Sequence, residues 1–125
     1  MAGGALCPST TPRAAGEAAR IVGVVGSDGR VANLLTPIPA TQAVLAAAGP
    51  EPEKAFRFSA PCAEGLCTQW RDNQCSLIGR IRAAIAPEDD RLPVCAIRGD
   101  CRWFQQDGKA ACGVCSYVSF NASSA

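Results

Sequence analysis

Residues 62–75 read Cys-Ala-Glu-Gly-Leu-Cys-Thr-Gln-Trp-Arg-Asp-Asn-Gln-Cys, and residues 95–112 read Cys-Ala-Ile-Arg-Gly-Asp-Cys-Arg-Trp-Phe-Gln-Gln-Asp-Gly-Lys-Ala-Ala-Cys. Each stretch opens on Cys-Ala, carries a glycine two residues ahead of a second cysteine, places a tryptophan shortly after it and closes on a third cysteine. The triplets are Cys62, Cys67, Cys75 and Cys95, Cys101, Cys112, and the remaining cysteines are Cys7 and Cys115. Three plus one, taken twice, is the ligand count of two four-thiolate metal sites. This degenerate repeat decides the fold, because it predicts a C-terminal half organised around thiols instead of a large apolar core.

Composition agrees. A chain of 125 residues is one domain, or one domain with a small appendage, and its two Trp, four Phe and one Tyr supply little bulk for a core. Much of the apolar fraction is alanine, whose burial stabilises little. Eight cysteines are the obvious supplement. The net charge of +1 gives no nucleic-acid footprint. The absence of histidine removes the usual general base near neutral pH and all His-containing zinc sites. The first twelve residues lack a basic region and an apolar run, and no stretch has transmembrane length, so the expectation is a cytoplasmic protein without membrane contact. Cysteine clusters in that compartment are more often metal-binding or catalytic than disulfide-bonded. The Asn121-Ala122-Ser123 sequon reads as chance.

The predicted class is α+β: a small N-terminal β-hairpin layer and a cysteine-rich, metal-stabilised C-terminal lobe of short helices. Residues 1–18, rich in Ala, Gly, Pro, Ser and Thr, read as a mobile arm. Residues 19–60 form the hairpin and short-helix layer, and residues 61–120 the cluster-binding lobe. Apolar runs flank Asp28-Gly29 as in a hairpin. The glycines at 23, 26 and 29 do not make a dinucleotide-binding fingerprint. Thr36 to Pro39 reads as an extended connector. Thr41 to Ala48 reads as a helix capped by Thr41 and stopped by Gly49, and Phe56-Arg57-Phe58 as a third strand. Residues 76–86 put Leu77, Ile78, Ile81 and Ile85 on one helical face, ended by Pro87. Asp89-Asp90 reads as a solvated loop and Asp100 as the cap of a helix from Cys101 to Gln106. The run Val114 to Phe120 reads as a strand or a docked tail.

The ligand gaps are Cys62-x4-Cys67-x7-Cys75 and Cys95-x5-Cys101-x10-Cys112-x2-Cys115. Structural zinc sites use tight C-x2-4-C pairs; Cys112 and Cys115 make the clear one, and Cys62-x4-Cys67 stands at the long limit of that range. A [4Fe–4S] cube is larger and accepts longer, varied spacings. The cofactor expected is therefore one or two [4Fe–4S] clusters, with zinc as the alternative and a disulfide framework as the third reading. The metal ligands are Cys7, Cys62, Cys67, Cys75, Cys95, Cys101, Cys112 and Cys115. Cys7 is the spare thiol for the first triplet, although the partition of Cys7 and Cys115 stays open, as does an open coordination site. Trp70 and Trp103 read as core beside the metal. Arg71, Arg98, Arg102 and Lys109 are candidates to offset cluster charge, against the plainer reading of solvated surface. Arg80 and Arg82 alone make a weak nucleic-acid footprint.

The segment Cys95-Ala-Ile-Arg-Gly-Asp-Cys101-Arg-Trp-Phe-Gln-Gln, with Ala-Ala-Cys112-Gly-Val-Cys115 behind it, resembles a group of small bacterial cysteine-rich proteins of uncharacterised activity, read as iron–sulfur proteins, and Ile21 to Leu35 is similar to their N-terminal part. The resemblance implies a compact family and no transferable activity. The chain lacks the ferredoxin C-x2-C-x2-C-x3-C run. The expected function is electron transfer or an accessory role beside a larger redox enzyme, without catalytic residues of its own. The alternatives are a zinc-stabilised interaction or regulatory module and a cluster-based redox or iron sensor.

Overall fold

The computed structural model describes residues 5–12, 16–85, 92 and 94–118. Among these, strands β1 (Leu6–Thr10), β2 (Arg20–Val25), β3 (Val31–Pro39) and β4 (Phe56–Pro61) form one antiparallel sheet in the order β1-β4-β2-β3. Strands β5 (Trp70–Arg71) and β6 (Gln74–Cys75) form a separate small hairpin. The helices are α1 (Gln42–Ala48), α2 (Ser76–Ala84), α3 (Arg102–Asp107) and α4 (Lys109–Val114). The class is α+β, as the sequence predicts.

The hairpin of β2 and β3 closes where Asp28-Gly29 places it. The Gly26 N–H donates to the Arg30 carbonyl at 2.8 Å, and the Asp28 carboxylate accepts the Arg30 N–H at 3.0 Å. Gly29 takes φ +82°, a conformation that costs glycine little. Phe56 and Phe58 lie in β4, which pairs with β2 on its other side, with Ile21 opposite Phe58. Thr41 caps α1 by accepting the Val44 N–H at 3.3 Å, and Gly49 ends it at φ +95°.

Strand alternation sorts the side chains between two layers. Ile21 and Phe58 pack with Ala19 against Val44 and Leu45 of α1. Val22 instead joins Leu77, Ile78, Ile97, Trp103, Ala111, Val114 and Val118 in the larger core under the cysteine-rich lobe. In β4 the aromatic rings of Phe56 and Phe58 meet edge-on at 6.3 Å. Between them Arg57, 6% exposed, extends the opposite way and donates to the carbonyls of Cys115 (2.5 Å) and Val118 (2.6 Å) and to Asn33 Oδ1 (3.3 Å).

Three expectations are corrected. The reading of residues 1–18 as a mobile arm fails for the segment around Cys7: Leu6–Thr10 is an edge strand on β4, and the Cys62 N–H donates to the Ala5 carbonyl at 2.8 Å. Low periodicity hid it, because its partner strand is distant in sequence. The connector Thr36–Pro39 belongs to β3, where Pro37 and Pro39 sit on the outer edge and need no ladder N–H. Asp100 does not cap α3; Cys101 holds that position and Asp100 ends a 3-10 turn over Arg98–Asp100. The described part of the C-terminal run continues as α4 and a 3-10 turn, Cys115–Tyr117, with Val118 buried as a docked tail. Pro87 and the Asp89-Asp90 loop lie outside the described residues.

Gly23 sits where β2 shifts register against both neighbours. A methyl group there meets Val31 Cγ1 at 2.7 Å, the Ala32 carbonyl at 3.2 Å and Arg57 Cβ at 3.3 Å. None of these is the free end of a long side chain. Gly23→Ala is therefore expected to lower stability by about 1–3 kcal/mol, measured as a drop in denaturant midpoint at unchanged slope. An unchanged midpoint rejects this account of the bulge.

Candidate metal centres

Cys7, Cys62, Cys67 and Cys75 line one cavity of about 340 Å3. Three local devices bring them there. Edge pairing sets Cys7 opposite Ala60 and holds Cys62 just beyond the end of β4. A 3-10 turn, closed by the Cys67 N–H to the Glu64 carbonyl at 2.9 Å, folds Cys67 back. The tight hairpin at Asp72-Asn73, with φ +52° and +64°, returns Cys75 opposite Trp70; two positive φ values are the signature of a type I′ turn. Gln106 of α3 then grips the Cys75 backbone, its Oε1 accepting the N–H at 2.7 Å and its Nε2 donating to the carbonyl at 3.0 Å.

Cysteine sulfurs in this set receive backbone N–H groups. Ser9 donates to Cys7 Sγ at 3.4 Å and Gln69 to Cys67 Sγ at 3.4 Å. Burial pushes the Cys7 thiol up to about 12, partly offset by the Ser9 N–H, and the neighbouring Cys62, Cys75 and Cys67 raise it further by repulsion. Arg102 borders the same cavity. Its guanidinium pairs with Glu64 Oε2 at 2.5 Å and lies 5.0 Å from the Trp70 ring centroid. Glu64 holds φ +50°, an unusual conformation for a residue with a side chain.

Cys95, Cys101, Cys112 and Cys115 line a second, much tighter cavity of about 20 Å3, room for about one water. Cys101 follows the Arg98–Asp100 turn, and its sulfur accepts backbone N–H groups of Phe104 and Trp103 at the start of α3. Gly108, at φ +65°, reverses the chain between α3 and α4, so that Cys112 and Cys115 come back to Cys95 and Cys101. Burial pushes Cys101 up to about 11 against those N–H bonds, with Cys95 and Cys115 adding repulsion. Cys112 is raised by burial and lowered by the hydrogen bond and charge of Arg98. Asn33 Nδ2 donates to Cys115 Sγ at 3.8 Å, and Arg57 reaches the same rim.

The eight thiols are thus sorted four and four, with Cys7 in the first set and Cys115 in the second. None is in a disulfide; all eight are free. Among the described residues no three of these ligand-type side chains converge tightly enough to hold a single metal ion. Each set instead spreads around a cavity. Of the basic residues singled out from the sequence, Arg98 and Arg102 border the cavities, whereas Arg71 donates to the carbonyls of Thr68 and Trp70. Lys109 is exposed, and Arg82 pairs with Asp107 at 3.2 Å. Asn33, Arg57 and Gln106 are the polar partners that sequence reasoning missed. Arg57 had a signal: a cation between two phenylalanines of an alternating strand faces the opposite layer.

No helix among the described residues is long and apolar enough to cross a membrane. No protein-family model, curated protein or solved structure matches the chain.

In metal-free protein, a thiol with its pKa raised well above 9 gains thiolate in proportion to hydroxide through the whole range below that pKa. Alkylation of Cys7 is therefore expected to accelerate about tenfold per pH unit from pH 8 to 11, read by peptide mass spectrometry. A plateau near pH 9, as for a solvated thiol, contradicts the burial assigned here.

Proposed function

We propose that this chain is an iron–sulfur protein that holds [4Fe–4S] clusters on its two cysteine sets and carries single electrons for a larger redox enzyme. The observation that supports this reading most is the sorting of eight thiols into two separate cavities of four. Four thiols around a cavity as wide as the first suit a cube, whose corners spread its ligands, better than one ion. The first cavity has volume for a cube. In the second, Cys95, Cys112 and Cys115 are half-exposed, and the lining must move outward to admit one.

The surroundings suit a carrier better than a catalyst. Neither cavity lining contains a carboxylate or an imidazole among the described residues, so no proton acceptor faces either set. Amide N–H groups of Ser9, Gln69, Trp103 and Phe104 and the Asn33 side chain instead point at sulfur. Such hydrogen bonds favour thiolate and help set a cluster's potential.

Anaerobically prepared protein is expected to carry about eight iron and eight acid-labile sulfide per chain. Cys112→Ala, or Cys67→Ala, is expected to lower both to about four by emptying one set. Stoichiometric zinc without sulfide, from an iron-replete host, rejects the reading in favour of the zinc module.

A further inference from the structure

One buried polar group beside the first cysteine set lacks a partner. Arg102 opens α3 directly after Cys101, and its side chain lines the cavity of about 340 Å3 that Cys7, Cys62, Cys67 and Cys75 share. Its Nε is buried and makes no hydrogen bond among the described residues. A buried donor left unused costs free energy, and in a folded protein it calls for a partner that occupies the site.

The rest of the side chain is held. Nη2 donates to Glu64 Oε2 at 2.5 Å, and the guanidinium carbon lies 5.0 Å from the Trp70 ring centroid. Glu64 engages the terminal nitrogen alone, although a guanidinium can offer a carboxylate two parallel N–H groups. It does so from a φ of +50°, in the turn Glu64–Leu66 that joins Cys62 to Cys67. Backbone strain of this kind persists where the surroundings impose it, and it clusters at ligand sites. The ion pair and the indole therefore fix the guanidinium and leave its Nε–H unused.

The chemistry of the cavity identifies what such a donor serves. Two backbone N–H groups there already end on sulfur, that of Ser9 on Cys7 Sγ and that of Gln69 on Cys67 Sγ, both at 3.4 Å. Arg102 is the one cation in the lining, and no carboxylate lines it among the described residues. A cube bound by four thiolates is anionic and presents thiolate and sulfide sulfur as acceptors, so a charged N–H is a matching donor.

Resting on the iron–sulfur reading above, we infer that Arg102 is a binding residue of the first cysteine set, whose Nε–H donates to a sulfur of the group held there. Glu64 and Trp70 are positioning residues that act through it.

The test uses the Cys112→Ala protein, in which the first set alone is filled, grown on arginine labelled with nitrogen-15 in the guanidinium. After reduction with dithionite, pulsed electron paramagnetic resonance is expected to show nitrogen-15 coupling to the cluster, because Arg102 is the only arginine in this lining. Arg102→Lys keeps a charge for Glu64 and lacks the Nε–H. It is expected to remove the coupling and to lower the cluster's reduction equilibrium about tenfold, about 59 mV for one electron. Glu64→Ala cuts the tie to the loop and keeps the donor, so it is expected to keep the coupling and, by taking away a negative charge, not to lower the potential. An Arg102 that only braces the loop predicts the same fall in both variants. Absence of iron and sulfide rejects the iron–sulfur reading itself. With the first cluster present, absence of the nitrogen coupling, or an equal fall in potential in Arg102→Lys and Glu64→Ala, overturns this inference alone. If Cys112→Ala does not fold, the labelled intact protein is compared with its Arg102→Lys variant, and identical nitrogen coupling in the two overturns the inference.

Discussion

The buried guanidinium of Arg57 is the constraint that the remaining architecture answers to. A cation 6% exposed is costly unless its N–H groups are used. It bonds the carbonyls of Cys115, which also accepts the Val118 N–H at 3.1 Å, and of Val118, and Asn33 on β3. One side chain thereby joins the sheet to the last turn of the cysteine-rich lobe. It fixes Cys115, sets the height of Trp103 beneath it (5.8 Å from guanidinium carbon to ring centroid) and leaves a positive charge beside four thiols. Strand alternation makes this arrangement obligatory, because Phe56 and Phe58 are needed on the other face under α1.

The thiols impose the second demand. Cys7 and Cys101, pushed to about 12 and about 11, remain protonated at neutral pH for as long as nothing positive enters their cavities. Under the iron–sulfur reading proposed above, a bound metal cofactor would exchange those protons for cationic charge, and affinity and folding would become one equilibrium. That linkage matters in a chain whose larger core relies on a few bulky residues, chiefly Trp103, Leu77 and Ile78, supplemented by small ones such as Ala111. The first set's thiols arrive from an edge strand, a 3-10 turn and a two-residue hairpin, elements that bury little apolar area by themselves.

Much of this was legible in the sequence, and what was missed has physical causes. The hairpin at Asp28-Gly29, α1 with its Thr41 cap, the strand at Phe56–Phe58 and the face of α2 each carry a local signal within a few residues. Leu6–Thr10 carries none: a strand containing Cys-Pro-Ser-Thr is specified by its partner some fifty residues away, and periodicity sees only neighbours. The grouping of Cys7 with Cys62, Cys67 and Cys75 depends on that same pairing, so counting thiols suggested it and only topology produces it. The turn at Asp72-Asn73 was readable, since both residues tolerate positive φ, but a hairpin with strands of two residues leaves no alternation to notice.

The repeat is a repeat of sequence and not of environment. Trp70 and Trp103 follow the second cysteine of their copies, yet they do different things. Trp103 is buried in the main core and borders both cavities, whereas Trp70 is half-exposed and stacks on Arg102 beside one of them. The third cysteine diverges as well. Seven intervening residues return Cys75 through a hairpin, and ten return Cys112 through a helix, a glycine reversal and a second helix. The longer route encloses its thiols against the sheet and Arg57, and the shorter one leaves its thiols at a wider, more open cavity. The two thiol sets therefore differ in their surroundings, in cavity size and in the elements that carry them, although each holds four cysteines.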